Sequence, residues 1–483
     1  EPDAVGFSMY MWNRDLTLEV ARCLRERDPD LVLFAGGPEV TMALGEGGQG
    51  ELLDFVLPGE CEETIVPAMR YLLDGGNPKA LADCVKPVPV SDLSALPSPY
   101  LDRTLELGDY DGVLWELSRG CPFSCDFCYE SRGESGIRRF PMDRILDELR
   151  LFDAAGVEQV FVLDPTFNYD KAMAKRILKH IQELAPEIYF CFEVRSESID
   201  AELAECFGAV NCTLQIGLQS ASDAVLRNVN RSLDRPDFEQ KVFLLHQAGV
   251  GYGFDLIYGL PGDSYEGFCE SLDYAMGFIP NHVDLFPLAV LPGTRLQETA
   301  ASLGVTHQLS APYHVTDVRG FPEEDLIEAS ELSAAFDLFY NKGQAVPWFD
   351  IVVRALDMAP SAFFDELATW LLTAKAFADV VELQSCFVAE MLVQAGKAAF
   401  VELASDLVTY FGSFEALVDT ETSVCFHHDP VVMLDLLCSG IADLEELSAM
   451  LPKRACLASV SLQDGEPSIL IRDREDAMDL RPL

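Results

Sequence analysis

Between Gly112 and Glu298 a short apolar run followed by an amphipathic stretch recurs six times, and no other feature limits the fold so tightly. The runs lie at Val113–Leu117, Gln159–Leu163, Ile188–Val194, Cys212–Gly217, Tyr252–Tyr258 and His282–Leu291. Near-continuous apolar runs of this length read as parallel strands buried on both faces. The intervening stretches have helical spacing. Over Asp143–Ala155, Ile145, Leu146, Leu149 and Phe152 share one face, and Gly156 supplies the stop. Six strand–helix units in a row predict an α/β protein whose parallel sheet curls into most of a barrel, short of the eight units that close one.

Either side, the pattern changes. Ala4–Ser8 and Leu31–Ala35 read as two further buried strands, with Asp54–Leu57 and the turn Pro58-Gly59-Glu60 as a third. Between the first two, Leu16, Val20 and Leu24 fall on one predicted helical face. This is a doubly wound α/β layout, whose ligands sit at the carboxyl ends of the strands. The opening Glu1-Pro2-Asp3 leads straight into a strand, so the given chain is expected to start partway through that unit. The boundaries are an α/β unit over 1–85, a Pro- and Ser-rich linker over 86–110, the six-unit series over 111–300 and a mainly helical region over 301–483. In the last, helical segments at Glu331–Tyr340 and Phe363–Phe377 precede a β-like ending at Cys456–Leu462 and Ser468–Ile471.

Charge narrows the partners. With 80 acidic against 34 basic residues the formal charge is −46, which disfavours a nucleic-acid partner, because phosphate binding needs Lys and Arg. A well-solvated acidic surface remains, with room for one local basic spot that holds a small anionic group. No apolar run reaches the 18 residues of a membrane span, so no membrane partner is expected. The 14 cysteines are too scattered for a disulfide scaffold and fit a reducing cytoplasm.

Three of those cysteines cluster, in Ser118-Arg-Gly-Cys-Pro-Phe-Ser-Cys-Asp-Phe-Cys-Tyr129, directly after the first run of the series. Three thiolates at Cys121, Cys125 and Cys128 can bind three irons of a four-iron cubane and leave the fourth iron open. Zinc would want a fourth protein ligand; no second Cys pair lies nearby, and the first histidine is His180. Motif and position resemble the radical S-adenosylmethionine superfamily, as does the aromatic Phe127. The resemblance covers about Gly112 to Glu298 and is nearest to the branch with oxygen-independent coproporphyrinogen oxidase, methylthiotransferases and cobalamin-dependent enzymes. It implies a 4Fe-4S cluster that reductively cleaves S-adenosylmethionine to a 5′-deoxyadenosyl radical.

The same resemblance implies a set of S-adenosylmethionine contacts. Asp164-Pro-Thr166 stands where relatives carry two glycines and a short polar residue, so Asp164 or Thr166 is left to accept the amino group. Glu193 matches a carboxylate used on the ribose or ammonium, and it shares a face with Arg195 by the two-residue period. Gln219 matches a ribose contact and Arg231 the guanidinium that takes the methionyl carboxylate, a task suited to its bidentate fork. Asp255 and Ile257 match ribose and adenine positions, and Ala289 an adenine neighbour.

Gly36-Gly37-Pro38-Glu39 and Gly59-Glu60, with Ser8 on the preceding loop, resemble the Rossmann-like cobalamin-binding domain found ahead of many radical enzymes. Glycines there would let backbone approach the corrin. No histidine in that stretch is available to coordinate cobalt. Met9, Tyr10, Met11 and Trp12 either line the corrin or belong to the core. The expected function is therefore a cobalamin-dependent radical methyltransferase acting on an unactivated carbon of a small molecule, fed by an electron donor such as flavodoxin or ferredoxin. A radical rearrangement, cyclisation or porphyrin-type oxidation, and a non-enzymatic cofactor or haem carrier, stay open beside it. Neither the substrate nor the oligomeric state is legible.

Overall fold

The computed structural model describes residues 2–42, 52–81, 89–130, 136–420, 423–441, 443–451, 453–463, 466–473 and 478–482. Three parallel strands come first, β1 (Ala4–Ser8), β2 (Val32–Gly36) and β3 (Phe55–Leu57), side by side in that order. Their layout is as expected, but the helix Arg14–Arg27 is turned differently. It buries Thr17 and Ala21, while Leu16 and Val20 are 66% and 42% exposed. The small residues face the sheet because the helix packs closely on it, with Leu33, Ala35 and Met9 forming that core.

The six-unit series forms one parallel sheet. Its strands are β4 (Gly112–Trp115), β7 (Gln159–Val162), β8 (Tyr189–Val194), β9 (Cys212–Gln219), β10 (Gly251–Tyr258) and β11 (His282–Pro287). They lie in chain order, so β4 and β11 are its two edges. Between β4 and β7 a two-residue antiparallel ladder pairs β5 (Ser118–Arg119) with β6 (Arg138–Arg139). The helix expected over Asp143–Ala155 runs from Met142 to Ala155 and ends on Gly156, whose φ of 71° makes the left-handed stop.

Alternation along the strands separates two faces. Trp115, Val160, Phe190, Phe192, Leu214, Ile216 and Phe254 are buried in the principal core. The opposite face carries Leu114, Phe161, Cys191, Glu193, Gln215, Gly253, Asp255, His282 and Asp284, and there Leu114 and Phe161 are exposed. A parallel sheet normally covers both faces. Here one face is left polar and partly open.

Beyond β11 a short antiparallel pair, β12 (Val305–His307) and β13 (Val315–Val318), leads into helices that include Glu323–Phe336, Pro360–Leu371 and Val380–Gln394. Phe336, Phe339, Phe349, Phe363, Phe364 and Phe387 stack at their centre. The β-like ending is larger than the sequence reading had it. Ser423–His428, Lys453–Gln463, Glu466–Asp473 and Met478–Pro482 form a four-stranded antiparallel sheet. No helix among the described residues is long and apolar enough to cross a membrane.

Candidate functional site

The cysteine loop leaves the sheet at its edge strand and returns through the β5–β6 ladder. Gly120, with φ of 93°, opens it; a Cβ there would lie 2.5 Å from the Gly136 carbonyl, so only glycine closes the stem. The loop is fastened at several points. Asp126 N–H donates to Val229 O at 3.0 Å, Leu296 N–H donates to Asp126 O at 2.8 Å, and Asn230 Nδ2 donates to Ser124 O at 2.6 Å. Asn230 itself adopts φ of 56°, a conformation asparagine tolerates better than most residues.

Cys125 is buried, and two guanidinium groups, Arg195 Nη1 and Arg231 Nη1, each stand 3.9 Å from its sulfur. Arg195 also pairs with Glu197 at 2.6 Å and lies 4.0 Å over the Phe123 ring, so Glu193 is not its partner. Arg231 donates Nη2–H to Gly217 O at 2.6 Å, while its Nε is buried with no partner. Burial and the nearby Arg195 push the Arg231 guanidinium below its ordinary pKa. A buried donor beside a second cation is costly unless an anion arrives.

That donor set suits an iron–sulfur cluster. Among the described residues no three His, Cys, Asp or Glu side chains are arranged to hold a single metal ion. A cubane takes one thiolate on each of three separate irons, so sulfurs spread along one short loop fit it without meeting at a point. Cys121 and Cys128 are half-buried beside buried Cys125, and both arginines offset thiolate charge.

The open face brings the expected carboxylates together. Across adjacent strands Glu193, Gln215, Gly253 and His282 are in register, and Gly217, Asp255 and Asp284 form the row above. Burial first, then the charges of Asp255 and Glu130, pushes Glu193 up to about 7. Burial likewise raises Asp255 to about 6, with Asp284 adding to the rise and a hydrogen bond from Gln215 opposing it. Gln215 Nε2 donates to Asp255 and, at 2.9 Å, to Asp284, while His282 Nε2 meets Gln215 Oε1. Gly253 makes the room, since a Cβ there would fall 2.2 Å from the His282 ring.

Gln219 sits at a bulge in β9 with φ of 67°, and its Oε1 is buried without a partner. A non-glycine residue held in the left-handed region at a strand end is a mark of a functional position. Ile257 is buried on the same strand end as Asp255, and Ala289 bridges to His314 just past β11. Phe127 packs on the principal core.

Two expected contacts have other work. Asp164 accepts Leu117 N–H at 2.9 Å, Ser118 N–H at 3.0 Å and the Ser118 hydroxyl, so its carboxylate fixes the start of the cysteine loop. Burial holds it up at about 6. Thr166 turns its hydroxyl back to Pro165 O. Gln215, Asp284 and His282 were missed, because only the cross-strand register brings them beside Glu193 and Asp255.

In the amino-terminal unit the loops after β1, β2 and β3 lie at one end of the sheet. Ser8 pairs with Gly36, and its carbonyl accepts Asn13 Nδ2–H at 3.0 Å. Gly37 has φ of 101°, and a Cβ there would lie 2.5 Å from Met9 O, so this glycine serves the packing of two loops. At Gly36 a Cβ would meet only ordinary contacts, and Pro38 starts a short helix. Gly59 has φ of 71° and turns the chain into Glu60. Met9 is core, whereas Trp12 is 76% exposed and stacks on Tyr10 at 4.6 Å. Loops at one end of a parallel sheet with an exposed aromatic pair fit a large flat ligand. Glu39 and Glu60 are both engaged by side chains from beyond this unit.

Residues 115–275 match the family model of the Radical SAM superfamily, and this segment is a radical SAM domain. The chain is 28% identical over 337 residues to the cobalamin-dependent radical SAM methyltransferase TokK of Streptomyces tokunonensis, covering 61% of this chain and 48% of that protein. It is 31% identical over 194 residues to the 2-(S-pantetheinyl)-carbapenam-3-carboxylate methyltransferase of Streptantibioticus cattleyicolor, covering 35% of this chain and 28% of that one. The chain thus spans less than half the length of these relatives. Among solved structures, the cobalamin-dependent S-adenosylmethionine radical enzyme OxsB, with aqua-cobalamin and S-adenosylmethionine bound, superposes with a TM-score of 0.53 at 16% identity. That match covers 93% of this chain and 75% of OxsB, and it shows a shared fold.

Proposed function

We propose that this chain, built around a radical SAM domain, is a cobalamin-dependent radical S-adenosylmethionine methyltransferase acting on an unactivated carbon of a small molecule. The observation that carries the reading is the pair of guanidiniums at Cys125, with the buried, unpartnered Nε of Arg231 beside them. They lie at the carboxyl ends of parallel strands, where such folds bind ligands. In this reading the sheet is the wall of a six-unit partial barrel and its open face is the interior.

Cys121, Cys125 and Cys128 would hold the cluster, with Arg195 and Arg231 offsetting its negative charge. Arg231 would take the methionyl carboxylate. Glu193, Gln219 and Asp255 would meet the ribose hydroxyls or the ammonium. Since Glu193 ionises only near pH 7 in the free protein, an arriving cation favours its charged form. The loops after β1 to β3, with Ser8, Gly36 and Gly59 at the strand ends, would hold cobalamin. When bound, the cluster and S-adenosylmethionine supply one-electron radical generation, and cobalamin supplies methyl transfer. A low-potential donor such as flavodoxin or ferredoxin would deliver the electrons.

The reading is tested by product analysis with a methyl-accepting substrate. Each turnover should yield one 5′-deoxyadenosine and one S-adenosylhomocysteine. Formation of 5′-deoxyadenosine with no S-adenosylhomocysteine would exclude methylation and leave rearrangement or cyclisation.

A further inference from the structure

Carboxylates of the amino-terminal unit reach the rest of the chain at both edges of the six-stranded sheet, Glu60 and Glu62 beyond β4 and Glu39 beyond β11. Glu60 follows β3. Its Oε2 accepts Val90 N–H at 2.8 Å, Arg119 Nη1–H at 3.1 Å and Arg138 Nη1–H at 2.9 Å, and its Oε1 accepts Arg138 Nη2–H. Arg119 and Arg138 are register partners in the β5–β6 ladder, the stem of the cysteine loop. Arg119 is further gripped by Glu62 at 2.7 Å and Glu116 at 2.8 Å. The stem is thus only two residue pairs long, and both members of its inner pair are tied to a residue of another unit.

Glu39 follows β2 and is fully buried. It accepts the Tyr313 hydroxyl at 2.8 Å and lies 3.2 Å from Arg14 Nε. Tyr313 in turn accepts Val290 N–H at 2.9 Å, just beyond β11. Because β4 and β11 are the two edges, the unit is fastened near both edges of the sheet.

We propose that Glu60 and Glu39 are positioning residues that couple docking of the amino-terminal unit to the shape of the cysteine loop. The contacts at Ser124, Asp126 and Asp164 fasten the loop to the sheet, but two rows of backbone pairing cannot by themselves fix the angle of its stem to the amino-terminal unit. Guanidiniums pinned by a shared carboxylate can, since each adds a charge-assisted hydrogen bond with fixed direction. Glu60 sets the stem from the β4 side, and Glu39 stops the unit from pivoting about that contact. The coupling rests on the geometry of the chain alone. Its use, which is to keep the proposed cobalamin loops and the cluster at one separation, rests on the function proposed above.

The test uses the whole cofactor-free chain and reads the loop directly. Glu60→Gln keeps the side-chain shape and removes the charge, and Glu63→Gln, an exposed residue in the first turn of the helix that follows, controls for net charge. Hydrogen exchange by mass spectrometry and alkylation of individual cysteines are measured for each. In Glu60→Gln, exchange across the cysteine loop and alkylation of buried Cys125 should rise at least tenfold, while exchange in β8 to β10 and alkylation of Cys206 stay at wild-type rates. Glu63→Gln should leave every rate unchanged, and Glu39→Gln should raise loop exchange in the same region. Unchanged loop rates in Glu60→Gln would overturn the proposal, and so would a uniform rise over the whole chain, which signals general destabilisation. Because no cofactor is present, failure here is distinct from failure of the methyltransferase reading.

Discussion

Replacing Arg231 with alanine separates a carboxylate-binding guanidinium from a structural one. In the free protein the Arg231 guanidinium donates to Gly217 O at 2.6 Å and to the Cys125 sulfur at 3.9 Å, and keeps a buried Nε without a partner. Its charge is disfavoured by burial and by Arg195 in the absence of ligand. With the methionyl carboxylate bound, the same group gains a charge-assisted hydrogen bond worth about 1.5–3 kcal/mol. Arg231→Ala should therefore weaken S-adenosylmethionine binding roughly 10- to 150-fold. Arg231→Lys should recover only part, because a lysine ammonium cannot reproduce the fork. Binding is measured by isothermal titration calorimetry on the reconstituted protein, with cluster content checked by its visible absorption. Wild-type affinity in the alanine variant, at full cluster content, would refute the assignment.

Other outcomes follow from the same contacts. Glu60 is held at about 2 against an ordinary 4.5 despite partial burial, through Arg138, the Val90 amide and Arg119. A lowered carboxylate contributes stability above pH 4.5 and loses it as pH falls toward 2. At 24% side-chain exposure this amounts to about 1–3 kcal/mol, so Glu60→Gln should narrow its stability gap to wild type in denaturant titrations as pH drops from 6 to 3. Glu193, raised to about 7, carries the opposite sign: its ionisation costs stability as pH rises from 4.5 through 7. Glu193→Gln should raise the melting temperature of the cofactor-free chain at pH 8 and leave it unchanged at pH 4.5, and an equal effect at both would contradict the burial argument. Gly37→Ala forces a Cβ to 2.5 Å from Met9 O at a φ of 101°, and should cost roughly 2–4 kcal/mol in urea unfolding of the amino-terminal unit.

The parts of the fold that were legible are those where one residue type answers to one constraint. Apolar runs marked every strand of the six-unit sheet to within a few residues at each end, because one face of each strand is buried in the principal core. Cys121, Cys125 and Cys128 stand out in the sequence because thiols at that spacing have few other uses. Leu16 and Val20 misled because periodicity finds an apolar stripe but not which side of it meets the sheet, and Thr17 and Ala21 are small enough to pack closer. The partners that Asp164, Glu39 and Glu60 have in the free chain were not legible, since a carboxylate at a strand end looks the same in sequence whatever holds it. Only tertiary structure brings Arg138 to Glu60 and Tyr313 to Glu39, across 78 and 274 residues of chain. The Gln215–His282 contact was hidden for the same reason.

The most direct test is cleavage of S-adenosylmethionine by the anaerobically reconstituted protein under a strong reductant. The account predicts one four-iron cluster per chain and formation of 5′-deoxyadenosine, both lost when Cys121, Cys125 and Cys128 are replaced by alanine. Undiminished 5′-deoxyadenosine from the triple variant, or none from a wild-type protein carrying a full, reduced cluster, would contradict it.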